Sequence, residues 1–402
     1  MKEMSTDYFS VLIFPLSSHP SSILFSVHPF FVSFSNPFFS LVRSFFFLFL
    51  LIPFASQCYV CWRMWQLMPF PVWGKVAVVS LMMLAFSCFF LALSPANDRL
   101  PLSLGSAVYN IGNSWLVIML YLLMMWLAVD LLRLCRIVPS DLFHDNGLVA
   151  SLVCIFFFCL FGFAYTRYNH KERVPLRLQT HKSVDPLRIV LTSDWHLGYH
   201  NRRTELARWI DLINAENPDV ILIAGDIIDH HYRPLVEEHM AEEFRRLKAP
   251  VYACLGNHEY FAGEPTAERF FRDAGIHLLR DSVAEFHGLS IIGRDDRTNL
   301  RRRPLHELMR SVRPETYILL LDHQPYSLEE AEAAGVDFEF AGHTHHGQVW
   351  PGNWITEALY ECAFGAHQRG QTHYYISSGL GIWGARFRIG TQSEYIVAEV
   401  GQ

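Results

Sequence analysis

Five short blocks rich in Asp, His, Asn and Gly punctuate the second half of the sequence: Asp194-Trp195-His196, Gly225-Asp226, Gly256-Asn257-His258-Glu259, His323 and Gly342-His343-Thr344-His345. Carboxylate and amide oxygens mixed with imidazoles, without thiolates, suit Mn, Fe or Zn better than Mg or a structural zinc. Two His at i, i+2 can reach two adjacent ions when the backbone is extended, whereas a helix would send them to different faces. Gly225, Gly256 and Gly342 allow the tight turns that bring a backbone close to such ions. Alone, Asp-x-His or Gly-Asp is a weak signal, and each residue by itself reads equally well as a surface or capping residue. Gly-Asn-His-Glu, however, arises by chance at about 1 position in 10^5 on average residue usage, and here it falls in order between the other blocks.

The blocks need a scaffold that brings them together. Short β-branched runs at 187–192, 220–224, 251–255, 317–321 and 336–341 read as buried strands. Between the first two lies a helical pattern at 204–215 with Leu206, Trp209, Ile210 and Ile213 on one face. Alternating strands and helices predict a layered α/β domain. Nearly every strand is followed by a block, as expected where ligands bind beyond the carboxyl ends of strands.

This ordered set resembles the calcineurin-like metallophosphoesterase superfamily. It is most similar to a membrane-associated bacterial branch whose last block reads Gly-His-Thr-His followed by a Gly-Gln pair, here Gly347-Gln348. The resemblance covers about 187–400 and implies a four-layer α/β/β/α sandwich. It also implies two divalent metal ions, one held by Asp194, His196 and His345, the other by Asn257, His323 and His343, with Asp226 bridging them. The implied reaction is phosphoester hydrolysis by metal-activated hydroxide, with His258 stabilising the transition state or protonating the leaving oxygen.

Other candidates carry less. Asp229, His230 and His231 could line the site, although a charged run after a strand is more often a solvated loop. His200 and Glu259 are candidates to orient ligands or substrate. The sequence departs from the branch at His346, where a second Gly is expected, and at Trp383, Arg386 and Arg388, where relatives tend to carry prolines. Arg386 or Arg388 could clamp a substrate phosphate, and the basic island Arg294, Arg297, Arg301, Arg302 and Arg303 could face anionic head groups or sit in a solvated loop.

Charge divides the chain in two. Up to Thr166 there are 7 Lys+Arg and 6 Asp+Glu, while the remainder carries 17 of the 20 His and a net charge of −7, which argues against a nucleic-acid partner. Uncharged runs at 44–62, 76–93, 107–128 and 148–165 predict a four-helix, multi-pass membrane region at 44–166. The Ser/Phe/Pro-rich segment 1–43 reads as a poorly structured extension or sequence upstream of the true start, 167–186 as a linker, and 187–402 as the catalytic domain. With four spans, Lys and Arg number eight on the catalytic side against four opposite, predicting a cytoplasmic domain at the cell membrane. The eight cysteines form no secreted disulfide framework, and Cys58 and Cys61 read as ordinary apolar thiols. A phosphodiester or pyrophosphate, lipid-linked because the anchor holds the site at a bilayer, is the expected substrate. A phosphomonoesterase or protein phosphatase, or a non-catalytic binding protein on the same fold, are the alternatives. Neither a dinucleotide fingerprint nor a nucleophilic-serine elbow is present.

Overall fold

The computed structural model describes residues 37–401, with side chains from 51 onward apart from position 140. The chain divides into two compact units, Met1–Cys58 and Tyr59–Gln402. Of the first, the described part is most of helix α1 (Pro37–Leu67), which contains the run expected to span at 44–62. The expected extension 1–43 falls largely outside the described residues. Its last seven residues are helical, because Pro37 opens α1 at a position where a missing N–H costs nothing.

Three further helices follow: α2 (Val72–Leu93), α3 (Leu102–Leu134) and α4 (Gly147–Asn169). Among the described residues these three are long and apolar enough to cross a membrane. Gly112 of α3 lets α2 approach so closely that a Cβ there would stand 2.3 Å from the Phe89 nitrogen. Near the helix ends, buried Arg63 pairs with Asp130 at 2.9 Å and lies over the Trp126 ring.

The segment expected as a linker, 167–186, is instead largely ordered. One residue after α4, strand β1 (Lys171–Gln179) begins, and it pairs in parallel along its whole length with β12 (Ser393–Gly401). Only 180–186 connects strands. The reading failed because β1, with Lys, Glu, Arg and Pro among its nine residues, is an edge strand and lacks an apolar run.

Then come β2 (Leu187–Thr192), α5 (Arg203–Ala215), β3 (Val220–Ala224), α6 (Arg233–Glu237), α7 (Met240–Phe244), β4 (Val251–Cys254), α8 (Asn257–Ala262), α9 (Glu264–Ala274) and β5 (His277–Leu278). The second sheet is built from β6 (Ser282–Phe286), β7 (Leu289–Gly293), α10 (Leu305–Leu308), β8 (Tyr317–Leu321), α11 (Leu328–Ala334), β9 (Phe338–Ala341), α12 (Gly352–Leu359), β10 (Gly365–Arg369) and β11 (Thr372–Ile376). The strand orders are β1-β12-β2-β3-β4-β5 and β10-β11-β9-β8-β7-β6.

Ile189, Leu191, Val220 and Leu222 of one sheet meet Leu289, Tyr317, Leu319 and Phe338 of the other in a single buried layer. The outer face of the first sheet is covered by Leu206, Ile210, Ile213, Phe244, Phe270 and Phe271 from α5, α7 and α9. Leu305, Leu308, Leu328 and Ala331 cover the second. This is the expected α/β/β/α layering, and β2, β3, β4, β8 and β9 all stop where a candidate block begins.

Candidate metal centre

After β2, β3 and β9 the chain turns sharply. Asp194, His196, Asp226, His343 and His345 all have positive φ, between 47° and 69°. For side chains of this size the left-handed region costs about 1–2 kcal/mol per residue, and such strain concentrates at functional sites. Glycines make room for the turns. A Cβ on Gly342 would lie 2.3 Å from Asp194 Oδ2, and one on Gly256 only 2.1 Å from Asp226 Oδ1.

The turns bring the predicted residues into two adjoining groups. Asp194, His196 and His345 each present a donor atom within 4.8 Å of the others, and so do Asp226, His323 and His343. Asp226 Oδ2 lies 3.6 Å from His196 Nε2 on one side and 3.1 Å from His323 Nε2 on the other. Asn257 Oδ1 closes the second group, 2.8 Å from His343 Nδ1 and 3.2 Å from His323 Nε2.

All of these side chains are buried except His343, which is half-buried. Burial pushes the Asp226 carboxyl up, but His323 and His258 outweigh it and hold it well below the usual carboxylate range. Burial likewise opposes ionisation of Asp229, and His196 and His258 overcome it. Several buried carboxylates facing convergent imidazole nitrogens form a donor set that fits divalent cations. In His345 and His343 burial favours the neutral imidazole, the form that ligates, and moves His343 to about 4.

The surroundings fix these groups. Glu259 is fully buried and accepts from the backbone N–H groups of Asp226, Gly256 and Ile228 at 2.7–3.0 Å, tying the β3 and β4 turns together. Burial and the neighbouring Asp226 raise its pKa to about 7. His323 Nδ1 is anchored 2.8 Å from the Ala224 carbonyl, leaving Nε2 towards Asp226. His258 stands edge-on to His196, with ring centroids 4.4 Å apart.

Asp229 is the residue that sequence reasoning undervalued. It is buried rather than solvated, with Oδ1 3.4 Å from His196 Nδ1 and 3.1 Å from His258 Nδ1. Its other oxygen accepts from the Tyr109 hydroxyl of α3 at 3.0 Å. A sequence signal for this contact exists: Ser106, Tyr109, Asn110 and Asn113 form a polar stripe at helical spacing in an otherwise apolar helix.

The expected substrate-binding residues lie elsewhere. Arg388 is fully buried and donates to the carbonyls of His345, Ser378 and Gly381 and to Ser393 Oγ, so it braces the site's backbone and has no fork left for phosphate. Arg386 is held by Glu205 at 3.1 Å. His200 is fully buried, its Nε2 against the Ile382 carbonyl and its ring stacked on Tyr109, and burial lowers its pKa to about 4. The basic island is likewise resolved into ion pairs: Arg294 and Arg302 with Asp322, and Arg303 with Glu307. Arg297 lies over the Tyr326 ring.

Residues 187–347 match the sequence model of the family described as calcineurin-like phosphoesterase. An uncharacterized metallophosphoesterase of Campylobacter jejuni is 28% identical over 219 residues, 52% of this chain and 58% of that protein. An uncharacterized metallophosphoesterase of Aquifex aeolicus is 27% identical over 58% of this chain and 95% of its own length. A zebrafish transmembrane protein with metallophosphoesterase domain is 30% identical, over 53% of each chain. The chain thus spans little more than half of the Campylobacter and zebrafish proteins. Among solved structures, a 5'-nucleotidase precursor from Thermus thermophilus aligns over 54% of this chain and 55% of that one, at 17% identity and a TM-score of 0.33, too low to add to the assignment. The matched sequence and the ordered metal-ligand blocks agree: residues 187–347 are similar to the calcineurin-like phosphoesterase family, and the relatives named metallophosphoesterases point to a metal-dependent phosphoester hydrolase.

Proposed function

We propose that the chain is a membrane-anchored hydrolase of phosphodiesters or pyrophosphates whose substrate is carried on a lipid. The observation that supports this most directly is Asp226, a single carboxylate within 3.6 Å of imidazoles from both donor groups. Asp194, His196 and His345 would hold one divalent cation, Asn257, His323 and His343 the other, and Asp226 both. Bound there, two cations would polarise phosphoryl oxygens and lower the pKa of water. His258 is oriented by Asp229 through Nδ1, which leaves Nε2 to hold a proton for the leaving oxygen. Asp229 also fixes the ring of His196, and Glu259 keeps the turns in register. The excess of Lys and Arg on the catalytic side of a four-span arrangement supports a cytoplasmic catalytic domain.

The test uses the full chain in detergent, stripped of metal and reloaded with Mn, Fe(II) or Zn, acting on a chromogenic phosphodiester and its monoester. Diester cleavage that needs the metal, disappears in Asp226→Ala and collapses in His258→Ala with metal content retained is the expected result. A preference for the monoester would replace this reading with a phosphatase, and no turnover by folded, metal-loaded protein would replace it with a binding role.

A further inference from the structure

Helix α3 has 33 residues, about 50 Å at 1.5 Å per residue, roughly 20 Å more than a hydrocarbon core requires. The surplus lies at its start. Gly105 and Tyr109 contact Tyr199 and Asp229 of the catalytic domain, and a Cβ on Gly384 would touch the Asn113 side chain. The rest of the helix, 115–134, is a nearly unbroken apolar run of membrane length. Tyr121 therefore lies about 9 Å inside that run, and its hydroxyl donates to the Trp350 carbonyl at 2.5 Å. Val349, Phe387 and Ile389 pack into the same apolar cluster as Tyr121, Phe157 and Phe161. A loop of the catalytic domain thus packs alongside the apolar run of α3, and its Trp350 carbonyl is satisfied by a side chain, as hydrocarbon would demand.

Helix α12 starts from that loop. Its Trp354 (60% exposed), Ile355 (62%) and Leu359 (68%), with Ala358, form one apolar stripe left largely open by the described residues. Trp354 meets Trp350 edge-on, with centroids 5.2 Å apart. The opposite side of the helix turns to the metal centre: Glu357 lies 3.0 Å from His346 Nε2, next to His345. At its start, Gly352 approaches Gly347 so closely that no Cβ fits between them, which locks the helix to the turn carrying His345.

We propose that the apolar stripe of α12 is seated in the bilayer, continuing the surface of the membrane helices up to the mouth of the metal centre. The partner is lipid, and the substrate is an amphiphile whose phosphoester reaches the site while its chains stay in the membrane. The proposal rests on the membrane-anchored hydrolase reading for the identity of the reaction, but the seating of α12 can be read independently of turnover.

The test places p-benzoylphenylalanine at position 359 of the full chain in phosphatidylcholine/phosphatidylglycerol vesicles, with the same probe at position 158 of α4 as the lipid-facing reference. Lipid adducts at both positions are expected. Adducts at 359 with residues 1–50 or with a second copy of the chain, or none at all, would overturn the proposal. In a second arm, Ile355→Asp should lower kcat/KM for a vesicle-borne diester by about tenfold or more and leave a water-soluble diester unaffected. Equal losses on both would show that α12 merely holds the fold and would overturn the proposal. If the unsubstituted chain cleaves neither diester, the hydrolase reading falls and the adducts alone decide the seating of α12.

Discussion

The Tyr109 hydroxyl donates to Asp229 at 3.0 Å, so the long apolar helix α3 touches the carboxylate that lies against both His196 and His258. Tyr109→Phe removes that bond and keeps the ring stacked on His200. The expected result is a kcat about tenfold lower, the worth of one positioning hydrogen bond, with KM little changed. Steady-state kinetics on a soluble diester check it, and an unaltered kcat would mean that Asp229 is held without Tyr109. By the same argument, the segment from Arg167 onward should turn over more slowly than the full chain.

Removing metal should destabilise the catalytic domain, because the buried carboxylates Asp194 and Asp226 would lose the cations they share. Each cation at 100 times its Kd contributes about 2.7 kcal/mol, or roughly 5–10 °C per ion in a domain of this size. Scanning calorimetry with and without chelator should show that shift, and Asp226→Ala should abolish it. Equal midpoints in both conditions would mean that the centre binds no metal.

Gly342→Ala should be far more damaging than its one methyl suggests. The new Cβ would stand 2.3 Å from Asp194 Oδ2 and 2.5 Å from Ser193 Oγ, forcing the carboxylate out of its group. Bound metal measured by mass spectrometry should fall from two ions towards one, with activity down by about 100-fold. Gly401→Ala, where a methyl meets nothing, serves as the control.

Glu205 gives a pH-dependent signature away from the metals. Burial pushes its carboxyl up, but Arg386 at 3.1 Å, the Thr204 hydroxyl and Arg208 outweigh it, and the net shift is downward. A depressed carboxylate adds stability that is complete above its unfolded value and is lost as pH falls. Glu205→Gln should therefore lower the thermal midpoint at pH 7, and the gap should narrow as pH drops below 4.5. A gap that stays constant down to pH 4 would show that the loss is one of packing alone.

The strands that end at the metal centre were legible because each is a short and mostly apolar run, and the seven ligand candidates because each follows such a run. Asp229 was not, since an acidic residue beside two His reads as solvated unless its neighbours in space are known. Arg388 misled for the opposite reason. An arginine near a phosphate site suggests a clamp, and only the carbonyls of His345, Ser378 and Gly381 around it reveal a brace. Edge strand β1 was missed because its pairing partner is the last strand of the chain, more than 200 residues away.

That pairing also governs what the enzyme can reach. A flexible tether of 20 residues would let a domain wander over roughly 25 Å, browsing the surface around its anchor. Here a single residue, His170, separates α4 from a nine-residue ladder built into the sheet. With α4 seated in a bilayer, as proposed above, the candidate metal centre would therefore work at one fixed height. Lipid-carried substrates would then be sorted by how far their phosphorus stands from the acyl chains, so that lengthening a headgroup by one sugar could abolish cleavage without changing the bond to be broken.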